Sequence, residues 1–205
     1  ILPRGAASQP GRAPVVPVPS APHGQDEAGE RDDMPDIQVA AILEAKARGA
    51  GFRDSTAALN WSDYADFDNF IRGLNLRNFS TDEFLILGGG HNTPGGPCAG
   101  KNTYPPRHLW GNIAKTAKVL DDLRDRLGKP IVITNAYRSP AYNACIGGAP
   151  GSQHMQFTAF DFKVSGMNAP DVAQTLRWIR DKEDAFKGGS GRYDTFTHVD
   201  TRGHN

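Results

Sequence analysis

The sequence has no excess of charge of either sign: Lys plus Arg and Asp plus Glu each number 23. A nucleic-acid binder usually shows a basic excess or stripe, so this balance argues against one. No apolar run comes near the roughly 18 residues that a transmembrane helix needs. There are only two cysteines, Cys98 and Cys145, and neither lies in a C-x-x-C redox or metal pattern. The two can stand as free thiols or form a bridge. A bridge would close a loop of about 48 residues and contribute roughly 4 kcal/mol in chain-entropy terms. No internal repeat is visible. The chain opens "ILPRGAASQPGRAPVVPVPSAPHG", without Met or a signal peptide, as a processed or trimmed product would.

A length of 205 residues is that of one domain with extensions. Residues 1–34 are rich in Pro, Ala and Gly and end in the charged run "DEAGERDD". They hold too few large apolar side chains to offset their ordering entropy, and read as a disordered tether. Residues 35–78 read as a helical extension. "PDIQVAAILEAKARGAG" has a Pro-Asp start and a glycine stop, and Tyr64, Phe67, Phe70, Ile71 and Leu74 recur at helical spacing. Residues 79–205 hold the main domain. In it, Ser80 and Glu83 form a capping box, and "GGGHNTPGGPCAGKNTYPPRH" is a long loop with no place for a helix. Leu109 to Leu127 is the longest helical pattern, closed by Gly128 and Pro130. "IVIT" and "FTAFDFKV" read as strands, "APDVAQTLRWIRDKED" as a helix, and "GGSGRYDTFTHVDTRG" as a glycine-bounded pair of strands. Strands and helices do not alternate strictly, so the expected class is α+β with a small antiparallel sheet flanked by helices.

Residues two apart on a strand share a face. Ala159, Asp161 and Lys163 thus share one face of "FTAFDFKV", and Phe160 and Phe162 the other. His198 and Asp200 likewise share a face of "THVDT". His154 lies just before the first of these strands. Two imidazoles and a carboxylate, His154, Asp161 and His198, suit Zn²⁺ in a site that keeps a position for water. On spacing alone all three read as ordinary polar residues, but an unpaired charge between phenylalanines is costly and raises the metal reading. Metal-assisted hydrolysis also needs a base, and Asp200 and Asp194 are the local carboxylates.

The segments "YRSPAYNACIGGAPGSQH", "TAFDF" and "FTHVDTRG", in that order, resemble the zinc D-alanyl-D-alanine peptidase family. That family shares a group with phage L-alanyl-D-glutamate endolysins and the hedgehog signalling domain. Ser152, His154, Ala159 and Asp161 match its pattern Ser-x-His-x-x-Gly-x-Ala-x-Asp, while Phe157 stands at the Gly position. The likeness covers the chain from Phe79 to Gly203.

The resemblance implies a hedgehog or D-Ala-D-Ala peptidase-like fold with one Zn²⁺ per chain on His154, Asp161 and His198. It implies that Arg138 faces a substrate carboxylate, which its guanidinium fork suits. Ser152 would bond the substrate or brace the loop. Relatives place their base three residues before the last His, where this chain has Thr195. Asp200, on the His198 face, is preferred as base over Asp194, which a regular strand would point away. Phe157 would either narrow the cleft or turn into the core. The implied activity is zinc-dependent hydrolysis of peptide bonds in peptidoglycan stem peptides or cross-links, by a monomeric protein of the bacterial envelope, periplasmic or secreted. In that compartment Cys98 and Cys145 would pair. The alternative is a non-catalytic zinc-containing module that binds the wall or a partner, as hedgehog-type relatives do. A closed structural zinc site would need a fourth ligand, for which His91 is the one candidate.

Overall fold

A computed structural model describes residues 32–48 and 61–205. The strands β1 (Ile131–Asn135), β2 (Ala159–Val164), β3 (Ser190–Arg192) and β4 (Thr197–Asp200) form one antiparallel sheet in the order β1-β2-β4-β3. The helices are α1 (Asp36–Ala47), α2 (Trp61–Gly73), α3 (Gly89–Asn92), α4 (Ala114–Leu127), α5 (Pro140–Cys145) and α6 (Ala169–Lys182). The fold is thus α+β with a small antiparallel sheet.

The alternation in β2 sorts the sheet into two faces. Ile131, Ile133, Phe160, Phe162 and Val199 point to one side, where α4 and α6 cover them with Leu120, Leu123, Val172 and Leu176. Burying each such side chain contributes about 1.5–3 kcal/mol, so this face holds the register. The other side carries Val132, Asp161, Lys163, His198 and Asp200. Helix α1 packs on this side at β1, where Ile42 meets Met34, Ile86 and Val132.

α2 joins the main core through Phe67 and Ile71. Phe67 meets Trp110 edge-on at 5.0 Å and Phe157 at 6.4 Å. Phe157 therefore turns into the core. Its φ of +53° lies in the left-handed region, which explains why a glycine suits that position. The conformation costs roughly 1–2 kcal/mol for a residue with a Cβ, less than a fully buried Phe side chain returns.

Three features go beyond the sequence reading. The glycine-rich loop does contain one helical turn, α3, and it is firmly held. Asn102 donates to the carbonyls of Leu87 and Tyr137 at 2.9 and 2.8 Å and accepts from the Ser139 N–H. The disulfide Cys98–Cys145 ties the same loop to α5. Next, α5 itself was unforeseen: Ser139 caps it and Pro140 opens it. Finally, the expected tether over 1–34 lies outside the described residues except for its end. There Asp32 and Met34 are buried against the domain, because ion pairs and an apolar anchor hold them.

Candidate metal centre

His154 sits on the 3-10 turn Gln153–Gln156 that leads into β2. Its Nδ1–H donates to the Ala136 carbonyl at 2.7 Å, which leaves Nε2 as a bare acceptor. On β2, Asp161 lies directly opposite His198 of β4. The Nε2–H of His198 donates to Asp200 Oδ2 at 3.1 Å, so its Nδ1 faces inward. Asp200 is held in turn by Arg202, whose Nε donates to Oδ1 at 2.7 Å, and by the Gly189 N–H at 3.1 Å. A Cβ on Gly189 would run into that same carboxylate, so glycine is needed there.

Acceptor atoms of three side chains therefore converge. His154 Nε2 lies 3.3 Å from His198 Nδ1 and 3.1 Å from Asp161 Oδ2, and His198 Nδ1 lies 2.8 Å from Asp161 Oδ1. Without a metal, a proton on His198 Nδ1 is what can serve them. Burial opposes that proton, but bonds to Asp161 and Asp200 outweigh it and raise the imidazole to about 9. Burial pushes His154 the other way, to below its ordinary value. Burial also works against the charge on Asp161, yet His154 and Arg138 beside it hold its carboxyl well below the usual range. Zn–N and Zn–O bonds of about 2.0–2.2 Å at tetrahedral angles separate donor atoms by roughly 3.3–3.5 Å. The 3.3 Å between the two imidazole nitrogens matches that spacing, the 3.1 and 2.8 Å contacts to Asp161 are shorter, and the cluster is the metal-capable group among the described residues.

A family model described as Peptidase M15 matches residues 90–200, more than half of the chain. The chain belongs to the peptidase M15 family. This is the zinc D-Ala-D-Ala carboxypeptidase-like family, so the M15 domain here is of a hydrolase type. No curated protein and no solved structure matches the chain. No helix among the described residues is long and apolar enough to cross a membrane.

The other expected site residues are arranged differently from the sequence reading. Asp200 bonds the outer nitrogen of His198, on the ring edge opposite the convergence point, so it orients that ligand candidate. Asp194 is exposed in the turn between β3 and β4 and lines a separate cavity beside α1. Arg138 is buried. Its Nη2 donates to Asp161 Oδ2 at 2.7 Å and its Nε to Asp32 Oδ2 at 3.0 Å. Ser152 caps the His154 turn by position only, since its side chain makes no cap bond. His91 is buried in the loop with Nδ1 accepting from the Asn102 N–H at 2.9 Å, which gives it a bracing role. Asp32 was missed entirely. Its only signal was membership of a charged run, a pattern that usually marks a solvated segment.

Proposed function

We propose that the M15 domain is a zinc-dependent peptidase that cuts peptide bonds in peptidoglycan stem peptides or cross-links, outside the cytoplasm. The observation that carries the reading is the convergence of His154 Nε2, Asp161 and His198 Nδ1 with both outer ring nitrogens already committed as donors. Zinc held by these three would polarise the scissile carbonyl and make hydroxide available near neutral pH.

The chain's own residues do the rest. The Ala136 carbonyl and Asp200 lock the two imidazoles in the tautomers a metal needs, and such partners commonly set ligand basicity and orientation. Arg138 braces Asp161 and presents a guanidinium to a peptide carboxylate. Ser152, at the rim of the His154 turn, offers a hydroxyl to the substrate backbone.

A second reading, a zinc-bearing wall-binding module, is favoured by one observation: neither Asp194 nor Asp200 faces the inner ring nitrogens. One experiment separates the two. Zinc is measured by elemental analysis in the wild type and in His154→Ala, and both are incubated with purified muropeptides. One zinc per chain with new cleavage products, both lost in His154→Ala, is the expected result. Zinc without products gives the binding module, and a chain that takes up no zinc removes both readings.

A further inference from the structure

Arg138 already has a carboxylate partner, and it comes from the chain itself. Asp32 lies 106 residues earlier, yet its side chain is buried beside the metal-capable cluster. It sits in a built pocket. Arg138 Nε donates to Oδ2 at 3.0 Å, and Asn135 Nδ2 donates to the same oxygen. The Tyr142 hydroxyl and the Gly90 N–H donate to Oδ1, the latter at 3.4 Å. The other end of the same guanidinium holds Asp161. One guanidinium thus separates Asp32 from the cluster.

The backbone around Asp32 is accommodated as closely as its side chain. A Cβ on Gly88 would stand 2.6 Å from Asp32 Oδ1, and one on Gly89 would stand 2.6 Å from the Asp33 carbonyl oxygen. Downstream, Lys163 Nζ donates to Met34 O at 2.9 Å and to Asp33 and Asp36, while Met34 is buried under α1. Residues 32–34 are therefore held downstream by Lys163 and the apolar contacts of Met34, with the Asp32 side chain inserted beside Arg138.

We propose that residues 32–34 are an autoinhibitory strap, with the Asp32 carboxylate occupying the place that the free C-terminal carboxylate of a peptide takes when it binds Arg138. The inference rests on the peptidase reading above and adds a regulatory step to it: the strap must leave before such a peptide can enter. The electrostatics suit a displaceable occupant. Asp32 and Asp161 share one guanidinium, and burial raises the Asp32 carboxyl to about 6 despite Arg138. A second buried carboxylate on one cation is held less firmly than the first.

Two variants test it without touching a donor of the pocket. Asp32→Ala removes the inserted carboxylate. Gly89→Ala keeps it but puts a methyl group into the strap backbone. The probe is N-acetyl-D-alanine, whose free carboxylate mimics a peptide end, with N-acetyl-D-alanine amide as control; binding to the zinc-loaded full chain is followed by calorimetry. If the strap is docked nine-tenths of the time, freeing the pocket tightens apparent binding about tenfold. Both variants are expected to bind the acid about tenfold more tightly than wild type and the amide no better. In the wild-type chain, saturating acid but not amide should also speed hydrogen exchange at residues 32–34. Equal acid binding in wild type and both folded variants would overturn the proposal. So would loss of the fold in both, since a segment that the fold requires is no switch. Loss of turnover in Asp32→Ala with unchanged binding would overturn it as well and put Asp32 in the chemistry. Zinc content, read on the same samples, reports separately on the peptidase reading.

Discussion

The two faces of β2 differ more than any other neighbouring parts of the molecule. Phe160 and Phe162 are fully buried among aromatic and aliphatic side chains. Asp161 and Lys163, alternating with them, are each enclosed by polar partners: Asp161 by Arg138, His198 and the neutral His154, and Lys163 by Asp33 and Asp36. The apolar face is non-directional, so many combinations of similar volume would fill it. The polar face is directional, since its atoms must meet within tenths of an ångström. The first secures the second, because a slip of one residue would exchange every side chain between the faces. Stability and chemistry are thus carried by alternate residues of one strand and should be separable by mutation.

The largest expected effect tests that separation directly. Asp161→Ala should abolish zinc binding and reduce peptide hydrolysis to background, while thermal unfolding stays cooperative because Phe160 and Phe162 still hold the sheet. Retained zinc in this variant would break the comparison. The neighbouring Phe160→Ala should do the reverse. It should cost about 3–5 kcal/mol in urea unfolding, with zinc stoichiometry of the folded fraction unchanged. A smaller effect sharpens the role of the outer residues. Asp200→Ala should weaken zinc binding by about 10–100-fold in a chelator competition, with little change in the unfolding midpoint. An unchanged affinity would show that His198 needs no such brace.

The smallest effect concerns the strap on the polar face. Asp32 faces Arg138, Tyr142 and, more remotely, Asp161. Burial lifts its carboxyl from the ordinary 3.8 to about 6. The docked group therefore holds its proton more tightly than the free one. Docking is strongest below pH 3.8, weakens as pH rises through about 6, and is level above that. Hydrogen-exchange protection at residues 32–34, corrected for intrinsic rates, should fall between pH 5 and 7 by this argument. Protection that rises over that range has the opposite sign and would break it.

Much of the site was legible because its parts lie close in sequence or follow a simple period. Alternation placed Asp161 opposite the phenylalanines, the same rule paired His198 with Asp200, and motif order brought His154 to them. The capping box at Ser80 was legible too, since Glu83 reaches back to the Ser80 N–H at 2.9 Å. For Asp200 the face was legible but not the ring nitrogen it meets. That depends on the rotation of His198, which Asp161 across the sheet sets. Phe157 was undecided because the partner that draws it inward, Phe67, comes from a helix 90 residues away. Asp32 was illegible for the same reason on a larger scale.

By itself, the sequence determined which residues can do what: the period that separates a core face from a polar face, the donor types that suit zinc, and two cysteines able to pair. Those properties are local, fixed by covalent spacing and side-chain chemistry. The tertiary structure decided which polar groups meet. It turned Asp200 to the outer nitrogen, paired Cys98 with Cys145, and brought Asp32 to Arg138 across 106 residues. The physical reason is that a charged or hydrogen-bonding group is satisfied only at short range and in the right direction, and long-range chain folding alone supplies its partner.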